Sequence, residues 1–99
     1  MTDTRGPLTG MKVVELAHVM AGPTCGRMLA DMGADVIKVE RVPDGDDTRR
    51  FLPPDIEGES AAYMMMNRNK RGVAIDLKNS EGKEVLIRMI ADADVVIEN

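Results

Sequence analysis

Apolar positions along the chain fall into short runs and helical stripes that alternate with one another. Met11–Ala17 (MKVVELA) is a compact apolar run with two β-branched residues, Val13 and Val14, and predicts a buried strand. His18–Pro23 reads as a turn. Thr24–Met32 carries a helical stripe of Met28, Leu29 and Met32, expected to face a sheet, with Arg27 and Asp31 toward solvent. Pro23 near the first helical position and Gly33 just past the last suit the two ends of that helix. Ala34–Arg41 (ADVIKVER) predicts a second strand. Strand, helix and strand over this length make one right-handed βαβ unit with parallel strands.

The pattern then breaks. Val42–Glu59 is dense in Pro, Gly and Asp and without periodicity, so it reads as a long loop of the kind that carries function. Ser60 is placed to cap a short helix through Met66. Asn67–Arg71 is a polar, basic break. Gly72–Leu77 predicts a third strand, and Ser80–Ala91 a helix with Val85, Leu86, Met89 and Ile90 as its apolar stripe. Ser80 or Asn79 is its cap, and Glu81 and Glu84 suit the positive end of its dipole. Asp94–Asn99 predicts a fourth strand. Leu8, in the polar lead-in Thr2–Gly10, is expected to cover the sheet edge. The expected fold is α/β: a Rossmann-like parallel sheet with helices on both faces. Because the last element is a strand with no helix to cover it, residues 1–99 read as a fragment of a larger protein, with no second domain in this segment, or as a chain whose exposed face another chain covers.

Ligands of such sheets lie beyond the carboxyl ends of the strands, against a helix N-terminus. That rule puts His18, Val19, Met20, Ala21 and Gly22 at the candidate site, with Arg41 after the next strand. Position alone does not separate a ligand-contacting His18 from a solvated loop histidine. Ala21-Gly22-Pro23 lets main-chain N–H groups approach an anion, but it is not the dinucleotide fingerprint. Cys25, one turn into the helix, has no local catalytic partner and reads as packing. Arg41, Lys70, Arg71 and Lys78 could rim a phosphate site or form an ordinary solvated face. Asp44, Asp46 and Asp47 lack the calcium-loop spacing, so no metal is expected. Glu98 and Asn99 end the fourth strand at the ligand edge, where Asn serves a ligand or a turn equally well.

Composition narrows the partners. Of 99 residues, 13 are Lys or Arg and 17 Asp or Glu, a net charge of −4 with the signs interspersed, which argues against nucleic acid. Only 2% are aromatic and nine are Met, so aliphatic and Met side chains must build the core. One cysteine allows no internal disulfide and suits a cytoplasmic protein. Neither a membrane-length apolar run nor a secretory h-region is visible.

Several stretches together resemble one family. His18-Val-Met-Ala-Gly-Pro, Gly33-Ala-Asp-Val-Ile-Lys-Val-Glu-Arg, Gly45-Asp-Asp-Thr-Arg, Asn67-Arg-Asn-Lys-Arg, Asp76-Leu-Lys and Val96-Ile-Glu-Asn look like the N-terminal part of a class III CoA-transferase, over about Leu8 to Asn99. That family includes formyl-CoA transferase, carnitine CoA-transferase and α-methylacyl-CoA racemase. The resemblance implies a Rossmann-like CoA-binding domain in a fold whose two full-length chains interlock as a homodimer. It implies transfer of CoA between small carboxylic acids through an acyl-enzyme on an Asp downstream of Asn99. Coenzyme A or acyl-CoA would then be substrate, with no permanently bound cofactor. The CoA-contacting positions it carries over are His18, Val19, Ala21, Arg41, Ile75, Lys78 and Asn99. Met20 stands where formyl-CoA transferase has a Gln that covers the reacting centre. No residue up to Asn99 matches the catalytic Asp, or the His and Asp of the racemases, so residues 1–99 alone are expected to be inactive. An acyl-CoA racemase is the alternative within the family, and a non-catalytic nucleotide-binding or dimerisation fragment the alternative outside it.

Overall fold

The computed structural model describes residues 6–99. Its main sheet holds four strands: β1 (Lys12–Glu15), β2 (Asp35–Arg41), β5 (Arg71–Ile75) and β6 (Val95–Ile97), in the order β5-β2-β1-β6. Every neighbouring pair is parallel. The two crossover helices are α1 (Ala21–Asp31) and α3 (Ser80–Ala91). A one-turn 3₁₀ segment (Asp47–Arg50) and a two-residue-per-strand hairpin of β3 (Asp55–Ile56) and β4 (Glu59–Ser60) break up the stretch expected to be one long loop, and the short helix α2 (Ala61–Met66) follows as expected.

Alternation along the strands divides the core into two layers, as the expected two-faced sheet requires. On one face Val13, Ala17, Val36 and Ile97 are buried with Ala30 of α1 and with Ala34; Leu8, Met11, Leu29 and Val95 pack around them. On the other face Val14, Val39 and Ile75 are buried, covered by Leu86 and Met89 of α3. Leu8 therefore does cover the apolar layer, as its position in the lead-in suggested. Ser60 caps α2 by accepting from the Tyr63 N–H, and Asn79 caps α3 by accepting from Glu81 and Gly82. Gly33 takes a φ of 103° just past α1, a backbone form that L side chains resist.

Several expected details differ. Helix α1 begins at Ala21, not Thr24, so Pro23 is its third residue; the first-turn N–H groups have no intrahelical partner, and a proline there costs nothing. Met28 and Met32 do not face the sheet: they are 56% and 41% exposed. Gly22, Pro23, Gly26 and Ala30 are the buried face of α1 instead. The reason is steric. A Cβ on Gly22 would overlap Ala17, and one on Gly26 would overlap the Glu15 carboxylate, so the helix lies too close to β1 for larger side chains. Cys25 is exposed, not packed, because it lies off that small-residue face. In α3, Leu86 and Met89 alone of the four-residue stripe pack on the sheet, while Val85 is 49% and Ile90 36% exposed.

Candidate functional site at the carboxyl edge of the sheet

The parallel strands bring the ends of β1, β2, β5 and β6 to one edge. His18 and Val19 follow β1, Ala21 opens α1, Arg41 closes β2, Ile75 closes β5, Lys78 lies three residues on, and Asn99 follows β6. Arg41 and Ile75 are register partners. All seven positions carried over from the resemblance thus lie along this edge. Ile75 is buried at 6% in the core, so what it offers a ligand is main chain. Met20, just before α1, is 58% exposed, and its side chain makes no capping bond to the helix.

His18 is clamped through its main chain. Its N–H donates to Asn99 Oδ1 at 3.1 Å, and its carbonyl accepts from Asn99 Nδ2 at 3.0 Å. The peptide groups on either side are held from beneath: Lys38 Nζ donates to the Ala17 carbonyl at 3.1 Å, and the Val19 N–H donates to Asp46 Oδ1 at 3.0 Å. Val19 itself has a φ of 67°, a conformation that costs a β-branched residue roughly 1–3 kcal/mol and persists only where its surroundings fix it. With every main-chain group around His18 engaged, the imidazole is the part of the residue left to act. Its Nδ1 is shielded and has no hydrogen-bond partner among the described residues.

Beneath the turn lies a charged cluster that the sequence analysis did not single out. Glu15 and Lys38 are cross-strand neighbours on the α1 face, both at most 1% exposed, with Lys38 Nζ 3.1 Å from Glu15 Oε2. Lys38 also reaches Asp46 Oδ2 at 2.8 Å, and Lys70 Nζ lies 2.7 Å from Glu15 Oε1. Two carboxylates and two ammonium groups thus share one buried, electrically balanced site, the condition under which such charges are tolerated. Burial alone would raise the Asp46 pKa; the hydrogen bonds from Lys38, Thr48 and Val19 outweigh it and hold the carboxyl well below its usual range. Burial likewise lowers the Lys70 pKa, against the pull of Glu15. A signal was present: Val36, Lys38 and Glu40 share one face of β2, so charges repeat at every second position of a strand that is otherwise apolar.

This geometry sorts the four cations that could rim a phosphate site or form a solvated face. Lys70 is no rim residue: its side chain is 2% exposed and donates to the Pro23 carbonyl and to Asn67. Arg71 pairs with Asp35 at 2.7 Å, at the opposite end of the sheet, because β5 begins opposite Ile37, two residues into β2. Arg41 and Lys78 remain at the carboxyl edge. Arg41 Nη2 meets Asp47 Oδ1 at 2.5 Å, and Arg50 shares that carboxylate.

Next to Arg41 an open cavity of about 290 Å³ is lined by Glu40, Arg41, Val42, Pro43, Asp44, Gly45, Arg49 and Ala74. Its wall is rigid. Arg49 forks onto both Glu40 oxygens at 2.7 Å and lies 4.0 Å over the Tyr63 ring. The Tyr63 hydroxyl donates to Glu40 Oε1 at 2.6 Å. The Arg49 guanidinium is the main reason that the Glu40 pKa falls to about 2, against the effect of burial. Gly45 takes a φ of 71° against Glu40, where a Cβ would overlap the carboxylate. A second cavity of about 180 Å³ lies at the other end of the sheet, among Lys12, Asp35, Arg71 and Met89, away from all seven carried-over positions.

A family model described as CoA-transferase family III matches residues 8–99. The chain belongs to CoA-transferase family III. Family III relatives include a succinate–glutarate CoA-transferase of Agrobacterium fabrum, 52% identical over 105 residues, an alignment that takes in 100% of this chain and 26% of the relative. A formyl-CoA:oxalate CoA-transferase of Afipia carboxidovorans is 47% identical over 93% of this chain and 22% of its own length. Among solved structures, a CAIB/BAIF family protein from Brucella suis superposes with a TM-score of 0.89 at 52% identity, over 96% of this chain and 26% of that one. The chain thus spans about a quarter of the length of these relatives.

Proposed function

We propose that residues 8–99 form the CoA-holding edge of a CoA-transferase that moves CoA between small carboxylic acids. The observation that carries this reading is the meeting of His18, Val19, Ala21, Arg41, Lys78 and Asn99 at one carboxyl edge, beside the open start of α1. A helix start with unpaired N–H groups and two flanking cations suits the phosphates of a nucleotide. Binding energy from that remote nucleotide holds the thioester in place while it reacts. The relatives' names pair CoA with succinate and glutarate, or with formate and oxalate, which supports small carboxylic acids as donor and acceptor.

The reaction proposed is double displacement. An enzyme carboxylate attacks the acyl-CoA carbonyl and expels the CoA thiolate, which attacks the enzyme carbonyl of the mixed anhydride to release the donor acid and leave an enzyme–CoA thioester. The acceptor carboxylate then displaces the thiolate to form a second anhydride, and the thiolate attacks its acceptor carbonyl, giving the new acyl-CoA and the free enzyme carboxylate. We place the nucleophile outside residues 1–99. Two carboxylates near this edge are already engaged, Asp46 by Lys38 and Asp47 by Arg41 and Arg50, and the resemblance gives the role to neither Asp76 nor Glu98. Full-length transferase would act as a homodimer in the cytoplasm, with no permanent cofactor. No helix among the described residues is long and apolar enough to cross a membrane.

The test is to incubate the full-length protein with succinyl-CoA and glutarate, and separately with formyl-CoA and oxalate, following the new acyl-CoA by mass spectrometry. Exchange in either pair supports the reading. Epimerisation of a 2-methylacyl-CoA without exchange would favour the racemase instead.

A further inference from the structure

We propose that Asp46 and Lys38 are positioning residues for the acyl-CoA site, fixing the Ala17–Val19 turn in its binding form from beneath; this rests on the CoA-transferase reading above. Neither side chain can reach a ligand, since both are at most 1% exposed. Both nonetheless hold main-chain atoms of the turn. Lys38 Nζ donates to the Ala17 carbonyl, and Asp46 accepts from the Val19 N–H through Oδ1 at 3.0 Å and Oδ2 at 3.3 Å. Val19 sits at a φ of 67°, which a β-branched residue leaves unless it is held. Asp46 is the anchor that holds it. Asp46 is in turn fixed from three sides: Lys38 at 2.8 Å, the Thr48 N–H at 2.9 Å, the bond by which it caps the 3₁₀ segment, and its own N–H on Glu40 at 2.8 Å.

The geometry has a consequence for the loop between β2 and the hairpin. That loop also carries Asp47, which pairs with Arg41. One residue pair, Asp46 and Asp47, therefore ties the turn after β1 to the cation at the end of β2. Adjacent residues thus hold both halves of the proposed CoA-holding edge in the unliganded form.

Two neutral double variants of the full-length protein isolate the anchor. Lys38→Met/Asp46→Asn removes one charge of each sign and keeps an amide oxygen for the Val19 N–H. Lys38→Met/Asp46→Leu removes the acceptor as well. The expected result is that both pairs raise the KM for acyl-CoA, since both lose the Lys38 bond to the Ala17 carbonyl, and that the second raises it about tenfold more than the first, the effect of one further hydrogen bond to a fixed turn. The KM for the carboxylic acid acceptor should be alike in the two pairs, while the Leu pair, which also leaves the buried Thr48 N–H without its acceptor, melts at a lower temperature. The Val19 amide should exchange its hydrogen faster in the Leu pair than in the Asn pair.

Should a double variant not fold, replacing the Val19 amide by an ester deletes the N–H alone and leaves every side chain in place. Cys25 supplies the ligation point for that semisynthesis, and the same rise in the acyl-CoA KM is expected. Equal acyl-CoA KM values in the two double variants, equal rises for both substrates, or an acyl-CoA KM unchanged by the ester would overturn the proposal. If wild type binds no CoA, the functional reading fails by itself, and unchanged Val19 exchange would still refute the anchoring.

Discussion

Asn99 and His18, 81 positions apart, are joined by a pair of hydrogen bonds in which one side-chain amide satisfies both main-chain groups of a single residue, at 3.1 and 3.0 Å. This bridge links the ends of β6 and β1 beyond their last ladder bonds. It fixes the His18 main chain at the end of β1.

Asn99→Asp should therefore be worse than Asn99→Ala. The carboxylate still accepts from the His18 N–H, but it sets an anionic oxygen against the His18 carbonyl. Asn99→Ala is expected to cost about 1–2 kcal/mol of stability for the lost pair of bonds, and Asn99→Asp more. Urea denaturation of the two variants checks the order, and a reversed order would remove the donor bond from the account.

Arg41 is expected to serve the nucleotide, so Arg41→Ala should weaken CoA binding by about 1–3 kcal/mol, the scale of a charge-assisted hydrogen bond. Asp47 competes for the same guanidinium from 2.5 Å. Asp47→Asn should then tighten CoA binding severalfold and steepen its salt dependence. Calorimetry on both variants decides: unchanged affinity in Arg41→Ala takes Arg41 out of the site.

Gly26→Ala tests why α1 has a small-residue face. Its Cβ would enter the space of the Glu15 carboxylate, which cannot retreat without parting from Lys38 or Lys70. A loss of about 1–3 kcal/mol is expected, as for other overpacked cores. Helix propensity alone would make the same change stabilising by up to ~1 kcal/mol, so the sign of the measured shift separates the two effects.

Glu40 makes a prediction about acid. Its pKa is about 2 in the folded protein against an ordinary value of 4.5. A carboxyl lowered on folding contributes stability above its unfolded value and loses it as the pH falls through the folded one. Glu40→Gln should thus destabilise most near neutral pH, and the difference from wild type should shrink between about pH 4.5 and 2. Asp46, lowered in the same direction, adds to the acid sensitivity of wild type. A gap between wild type and Glu40→Gln that stays constant down to pH 2 would contradict the Arg49–Glu40 pairing.

The sheet was legible in the sequence because its strands and crossover helices are local patterns: Val13–Leu16, Val36–Val39 and Val95–Ile97 announce strands, and Leu86 and Met89 one helix face. The edge that collects His18, Arg41 and Asn99 followed from parallel topology alone. What escaped was convergence. Glu15, Lys38, Asp46 and Lys70 come from four separate segments, and each by itself resembles a charge at the border of an element. Met28 and Met32 misled because hydrophobicity predicts the buried face only where there is room for it. Close approach of α1 to β1 selects Gly22 and Gly26 instead. Asn99 was ambiguous between ligand and turn because its partner His18 lies at the far end of the chain segment.

The account's central claim is that CoA lies along the carboxyl edge of this sheet, and a crystal structure of the full-length protein grown with CoA tests it most directly. The expected result is the CoA diphosphate near the start of α1, with Arg41 turned from Asp47 toward a phosphate and Val19 still at positive φ. CoA bound instead at the opposite end, among Lys12, Asp35 and Arg71, or with Arg41 still paired to Asp47 and no phosphate near α1, would contradict it.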